Sequence, residues 1–240
     1  MDFAYPVFAV VVFAAAIVAV RRRSVTKTAD ISSWSAANGF VAVEDPEPLG
    51  SGRRGFGWAA VTPRDVARRG GTTAATVIHR AHRNDTDEIQ AAEVVLRHGP
   101  ATRLLLGTGP GGSSKLLGPV AALAGLDHVH SVDARLERRW HVYAEDGTRA
   151  HLALAADRAL VDVLCSVEAP TWLRAAKDDG PWAIRLPETL RTWKNARIDV
   201  EIGPHHLLVG VNGRCSVRRA AVVELAETLA AAIDARSPRR

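Results

Sequence analysis

The sequence predicts an α+β fold: a mainly antiparallel sheet with flanking helices, carried behind an N-terminal transmembrane helix. Three observations predict it. Short β-branched or apolar runs joined by compact turns fill the middle of the chain, where Thr72–His79 and Ile89–Leu96 flank a turn at Asn84–Asp87. Two later stretches carry apolar residues at helical spacing, apart from those runs. Phe3–Val20 is eighteen residues without a charge. Strands joined by short turns, with helices segregated from them, make an antiparallel layer rather than an alternating parallel one.

The N-terminal run comes first. At about 1.5 Å per residue, Phe3–Val20 reaches roughly 27 Å, close to a bilayer's hydrocarbon thickness. Arg21, Arg22 and Arg23 follow at once, and Asp2 is the only charge before the run. A secretory signal has the reverse order, with its positive charges first and a cleavage site after. The expectation is an uncleaved single-span anchor in the cell membrane, with the arginines and the bulk of the chain in the cytoplasm. The competing reading is a cleaved export signal with unusual flanks. The chain then divides into an anchor over 3–20, a basic juxtamembrane linker over 21–29, a cytosolic domain over 30–235 and a disordered tail over 236–240. In the cytosol Cys165 and Cys215 stay reduced, and the sequon at Asn84 stays idle.

Within the domain, Asp30 caps a short helix in which Ile31, Trp34 and Ala37 share a face, and Gly39 ends it. Phe40–Val43 reads as a strand, 45–57 as a loop rich in Pro, Gly and Arg, and Trp58–Val61 as a further strand. Thr62–Gly71 is arginine-rich and fits no single pattern. Arg103–Leu106 is an apolar run, and Leu116–Ala124 is a short buried helix bent at Gly118-Pro119. Val129–Leu136 and Trp140–Ala144 are strand candidates, followed by a turn at Glu145–Gly147. A helix over Thr148–Val167 has its stripe at Leu152, Ala156, Leu160, Val163, Leu164 and Val167. Ile198–Ile202 and Leu207–Val211 flank Gly203-Pro204-His205-His206 as a hairpin. The last helix, Val217–Ala235, has its stripe at Val222, Leu225, Ala226, Leu229 and Ile233, with Ser216 as cap and Arg218, Arg219, Glu224 and Glu227 off the stripe.

Composition limits the function. At 240 residues, 47% hydrophobic and 24% charged, the chain is neither wholly disordered nor a multi-span transporter. Two cysteines make neither a disulfide scaffold nor a four-cysteine zinc site. The net charge of +5 resides at the two ends, +2 from Arg21–Arg23 less Asp2 and +3 from Arg236, Arg239 and Arg240, so the body is close to neutral. That placement fits anionic headgroups next to an anchor and argues against nucleic acid.

One segment carries a cofactor pattern. Gly107, Gly109 and Gly112 in GTGPGGSSK satisfy G-x-G-x-x-G between an apolar run and a helix candidate, the setting in which backbone N–H groups hold a phosphate. It resembles the glycine motif of Rossmann-like methyltransferases, which implies S-adenosylmethionine or a dinucleotide as cofactor and Asp133 as the ribose-binding acid. Asp133 lies 26 positions after Gly107, against about 20 in that motif. Gly118-Pro119 breaks the helix that should carry the site, and no βα series follows. A plain connecting loop is the alternative. Ser24-Val25-Thr26-Lys27 matches S-x-x-K without its partner motifs. The pairs His79/His82, His128/His130 and His205/His206 form no H-E-x-x-H, so no metal site is expected.

Asp127–Val167 (DHVHSVDARLERRWHVYAEDGTRAHLALAADRALVDVLCSV), the hairpin and helix of Ile198–Ala235, and the spacing from Trp34 to Phe40 resemble uncharacterised actinobacterial membrane-anchored proteins of unknown function. The resemblance covers about half of the chain and rests on structural motifs. It implies the architecture and the anchor, and it carries no active site. The expectation for function is therefore a non-catalytic binding or scaffold module at the cytoplasmic face, needing no cofactor. Its partners would be the bilayer, anionic headgroups at Arg21–Arg23, and a protein not named by the sequence. Two rivals are a membrane-tethered enzyme using Gly107, Gly109, Gly112 and Asp133, and a lipid-sensing surface built on Arg21–Arg23 and Arg53-Arg54.

Overall fold

The computed structural model describes residues 30–50, 61–82, 85–107, 125–130, 133–166, 198–212 and 216–236. Helix α1 covers 30–37, and the strands β1 (Val41–Ala42), β2 (Arg64–Arg69), β3 (Thr72–His82), β4 (Asp85–Val95), β5 (Leu104–Gly107) and β6 (Asp127–His128) follow. Then come α2 (Ala134–Arg139), β7 (His141–Ala144), α3 (Gly147–Ala156), α4 (Arg158–Ser166), β8 (Ile198–Ile202), β9 (His206–Asn212) and α5 (Ser216–Ala235).

The strands form one nine-stranded sheet in the order β1-β2-β3-β4-β9-β8-β5-β7-β6. Every pairing among them is antiparallel. Register follows from side-chain alternation, because a one-residue slip would turn each apolar row over. The row Ala67, Ala74, Ala92, Val209, Val200, Leu106 and Val142 runs across the sheet by direct cross-strand pairing. It faces the helices, where it is buried with Leu154, Leu160, Leu164, Val222, Ala226, Leu229 and Ile233. The adjacent row, Thr73, Glu93, Leu208, Glu201, Leu105 and Tyr143, faces the other way. Part of that face is covered by the segment ending at Leu49 and Gly50, with Leu49 packed against Val77, Ile89 and Leu208.

The local determinants are mostly caps. Gly39, at φ +74°, closes α1: its N–H donates to Ala36 O and the Phe40 N–H to Ser35 O, the paired bonds of a glycine-terminated helix. Asp146 accepts from the Arg149 N–H at 2.8 Å and starts α3. Trp140, the C-cap of α2, is buried and its Nε1–H donates to Leu164 O at 3.0 Å, tying the end of α2 to α4.

The structure corrects several expectations. Among the described residues no helix is long and apolar enough to cross a membrane. The twenty-residue α5 carries Arg219, Glu224, Glu227 and Asp234 along its length. The expected transmembrane segment Phe3–Val20 and the basic run Arg21–Arg23 lie outside the described residues. The fold is thus an antiparallel sheet with helices, and the single-pass, signal-anchor part of the expectation is set aside.

The helix expected over Thr148–Val167 is two helices. Asp157 ends α3, and its Oδ1 accepts from the Leu160 N–H at 3.0 Å to begin α4. The break re-phases the stripe, so Leu152 is exposed and Ala150 and Leu154 are buried in its place. Val129–Leu136 is not a strand, because Asp133 caps α2 within it. In α1 the inward residue beside Ile31 is Ser35, and Ala37 is exposed. Asp85–Asp87 belongs to β4 rather than to a turn. The strand expected at Trp58 and the helix at Leu116–Ala124 lie outside the described residues.

Candidate functional site

Gly107 is the last residue of β5 and is buried, opposite Asp199 of β8 and His141 of β7. Gly109 and Gly112 lie outside the described residues. A dinucleotide site needs a parallel strand feeding a helix at the point where strand order reverses, and both neighbours of β5 run antiparallel to it. Asp133 stands at the start of α2, where its Oδ1 accepts from the Arg135 N–H at 2.8 Å. Its carboxylate also pairs with the guanidinium of Arg135 at 2.7 Å and of Arg158 at 3.4 Å. The hydrogen bonds from the Arg135 side chain and backbone hold its pKa down at about 2. Asp133 thus serves a helix start and two arginines, as the cap of α2 rather than as a strand residue.

Sequence reasoning missed a polar layer on the sheet face opposite the helices. Glu201 projects from β8 and is 1% exposed. Its Oε1 accepts from Arg103 Nε at 2.9 Å and lies 2.9 Å from His206 Nε2. Arg103 Nη1 reaches on to Glu145 at 3.3 Å. Burial opposes ionisation of Glu201, but the bonds from His206 and Arg103 outweigh it and bring its pKa to about 2. Glu93 of β4 lies across Leu208 in the same row and accepts from the Gly50 N–H at 3.2 Å. Burial raises the pKa of Glu93, and the charge on Glu201 adds to the rise. Gly50 sits at φ +65° close over this layer: a Cβ there would meet Leu208 Cδ2 at 3.0 Å and both Glu201 oxygens at 3.5 Å. The available signal was the alternation in β8, IDVEI, which puts Asp199 and Glu201 on one face.

A second buried polar group links α5 to the sheet. Arg219 is 1% exposed. Its Nε donates to Gln90 Oε1 at 3.1 Å, Nη1 to Ser35 Oγ at 3.1 Å, and Nη2 to Asp65 O at 2.9 Å and Thr76 Oγ1 at 3.1 Å. Asp65 supplies that carbonyl from an irregularity in β2, where the register with β3 shifts and its φ is +49°. Arg219, placed off the helical stripe by sequence, is thus a structural centre.

Among the described residues, a groove of about 410 Å³ between the end of β4 and the C-terminal half of α5 has room for another molecule. Val94, Val95, Ala230 and Ala231 make it apolar, and Val95 is 64% exposed. Arg97, His98, Glu227 and Asp234 surround it. Asp234 accepts from the backbone N–H groups of Arg97 and His98, the shortest bond being 2.8 Å. Glu227 accepts from Arg69 Nη2 at 2.8 Å and Thr72 Oγ1 at 2.9 Å. Among the described residues no group of three or more His, Cys, Asp or Glu stands close enough to hold a metal. His128 and His130 pack edge to face at 5.0 Å, and burial followed by the charges of His130 and His141 lowers the pKa of His128.

No family model matches the chain, and no curated protein matches it. Among solved structures, the mycobacterial trehalose monomycolate transport factor A is similar over 89% of this chain and 98% of that chain, at 11% identity and a TM-score of 0.44. Likeness at that level fixes neither fold nor role.

Proposed function

We propose that the chain is a non-catalytic binding module whose contact surface is the groove between β4 and α5. The groove carries this reading: it joins exposed apolar area to charged groups on two regular elements that pack on one another. A site held by a helix and a central strand keeps its shape, which lowers the ordering cost of association. Other groups with chemical capacity are invested in the fold. Glu201 is held by Arg103 and His206, Asp133 starts α2, and Arg219 joins α5 to β2, β3 and β4. The rival enzyme reading has less support, because β5 lacks the parallel neighbours that a cofactor-binding glycine turn uses.

Filling the groove tests the proposal. Ala231 is exposed and lines it, so Ala231→Trp adds bulk there while leaving the core intact. Leu152→Trp, on the exposed side of α3, is the control. The expected result is a co-purifying partner retained by the wild type and by Leu152→Trp and lost from Ala231→Trp. An unchanged set of partners in all three refutes the groove as the contact surface.

A further inference from the structure

We infer that the segment from Val43 to Gly50 is a pH-sensitive cover, closed over the polar layer of Glu93, Glu201 and His206 at mildly acid pH and lifting from it as pH rises. The device is independent of the groove. The cover is anchored near its two ends. The Val43 N–H donates to Val66 O at 2.9 Å, and Leu49 is buried against Val77, Ile89 and Leu208. Residues 44, 45, 47 and 48 between the anchors are exposed. Few buried contacts therefore oppose a local opening. At the far end the Gly50 N–H donates to Glu93 Oε1 at 3.2 Å. Gly50 lies so close to the layer that a Cβ on it would stand 3.5 Å from both Glu201 carboxylate oxygens. The cover thus stands between these carboxylates and water.

Charge within the layer sets the direction. Glu93 and Glu201 flank Leu208 in one cross-strand row, so both carboxylates lie on the same face. Glu201 has Arg103 and His206 each at 2.9 Å, and Arg103 reaches on to Glu145. Glu93 accepts a neutral N–H from the cover, while His206 and Arg68, which is bonded to Thr73 on the neighbouring strand, favour its charge through space. Burial outweighs these and raises its pKa, and the charge on Glu201 adds to the rise. Once solvated, Glu93 returns towards the ordinary 4.5. Opening the cover therefore releases a proton, and it becomes easier as pH rises from 4.5 to the closed-state value. Deprotonation of His206 acts in the same sense, because it removes a positive charge from beside two negative ones. Glu44, Asp45 and Glu47 on the cover are exposed and also negative, so they add repulsion rather than closure as the layer ionises.

The test is amide hydrogen exchange of the full chain, pulse-labelled between about pH 5 and pH 8 with pulses scaled to the intrinsic exchange rate and read by mass spectrometry. Protection of the Leu49 and Gly50 amides is expected to fall about threefold or more across that range. The amides of β4, in the middle of the sheet, report unfolding of the whole and are expected to change by a smaller factor. Glu93→Gln keeps an acceptor for the Gly50 N–H but cannot ionise, and it is expected to abolish most of the fall. The wild-type profile is decisive without any variant: protection at Leu49 and Gly50 that is independent of pH overturns the proposal, and so does a fall matched by the β4 amides. A fall that persists undiminished in Glu93→Gln overturns it as well, and assigns the response to Glu44, Asp45 and Glu47 instead.

Discussion

Arg219 Nε donates to Gln90 Oε1 at 3.1 Å, joining the first turns of α5 to the middle of β4 with both side chains buried. The same guanidinium reaches Ser35 of α1, Asp65 of β2 and Thr76 of β3. One side chain thus ties α5 to four elements that are remote from it in sequence. Removing it leaves buried acceptors without donors, which costs more than the bonds themselves contribute. Arg219→Leu is expected to lower stability by about 3 kcal/mol, read as a fall in the urea midpoint. Arg219→Lys should recover little of it, since a single ammonium cannot span the fork.

Glu201 gives the fold an acid-sensitive contribution. Its folded pKa of about 2 lies below the ordinary 4.5, so its stabilisation is complete above about pH 5 and is lost as pH falls towards 2. Glu201→Gln is expected to cost about 3 kcal/mol at pH 7 and progressively less towards pH 2. Asp133 titrates over the same range, so the wild type minus variant difference isolates Glu201. A difference constant with pH contradicts the assignment.

Glu93 has the opposite sign. Burial raises its pKa, so its ionisation opposes folding, and stability is lost as pH rises through the folded value. Glu93→Gln keeps an acceptor for the Gly50 N–H. Its denaturation midpoint at pH 7 is expected to equal or exceed that of the wild type, whereas Glu201→Gln falls.

The turn before β9 positions His206. A Cβ on Gly203 would run into the imidazole Cε1 and stand 2.8 Å from Nδ1. Gly203→Ala is expected to cost about 1–3 kcal/mol, the usual range for overpacking, and to flatten the acid transition by moving His206 off Glu201. Gly71→Ala, whose Cβ would be 3.7 Å from Val95, is the tolerated comparison.

Some of this was legible in the sequence because local pattern and final environment agree. Val222, Leu225, Ala226, Leu229 and Ile233 recur at helical spacing, and all five are buried. The strands of the β3–β4 and β8–β9 hairpins follow from alternation and short turns. The rest depended on non-local contacts. An arginine off the apolar stripe reads as solvated until the acceptors of α1, β2, β3 and β4 surround it. Asp157 reads as one polar residue inside a helix until its carboxylate proves to start a new one. Glu93 and Glu201 pattern as the wet face of a sheet, and it is the segment at Leu49 and Gly50 that closes over them. The groove joins residues more than 130 positions apart, which periodicity does not reveal.

Binding at the groove is best tested by site-specific photocrosslinking in native cells, with a benzoyl-phenylalanine in place of Val95 and, separately, in place of Leu152. Both positions are exposed, at 64% and 63%, so they differ in place rather than access. One discrete adduct is expected from position 95 that is absent from position 152 and that Ala231→Trp removes. The same adducts from both positions, or an adduct at 95 that survives the filled groove, contradict it.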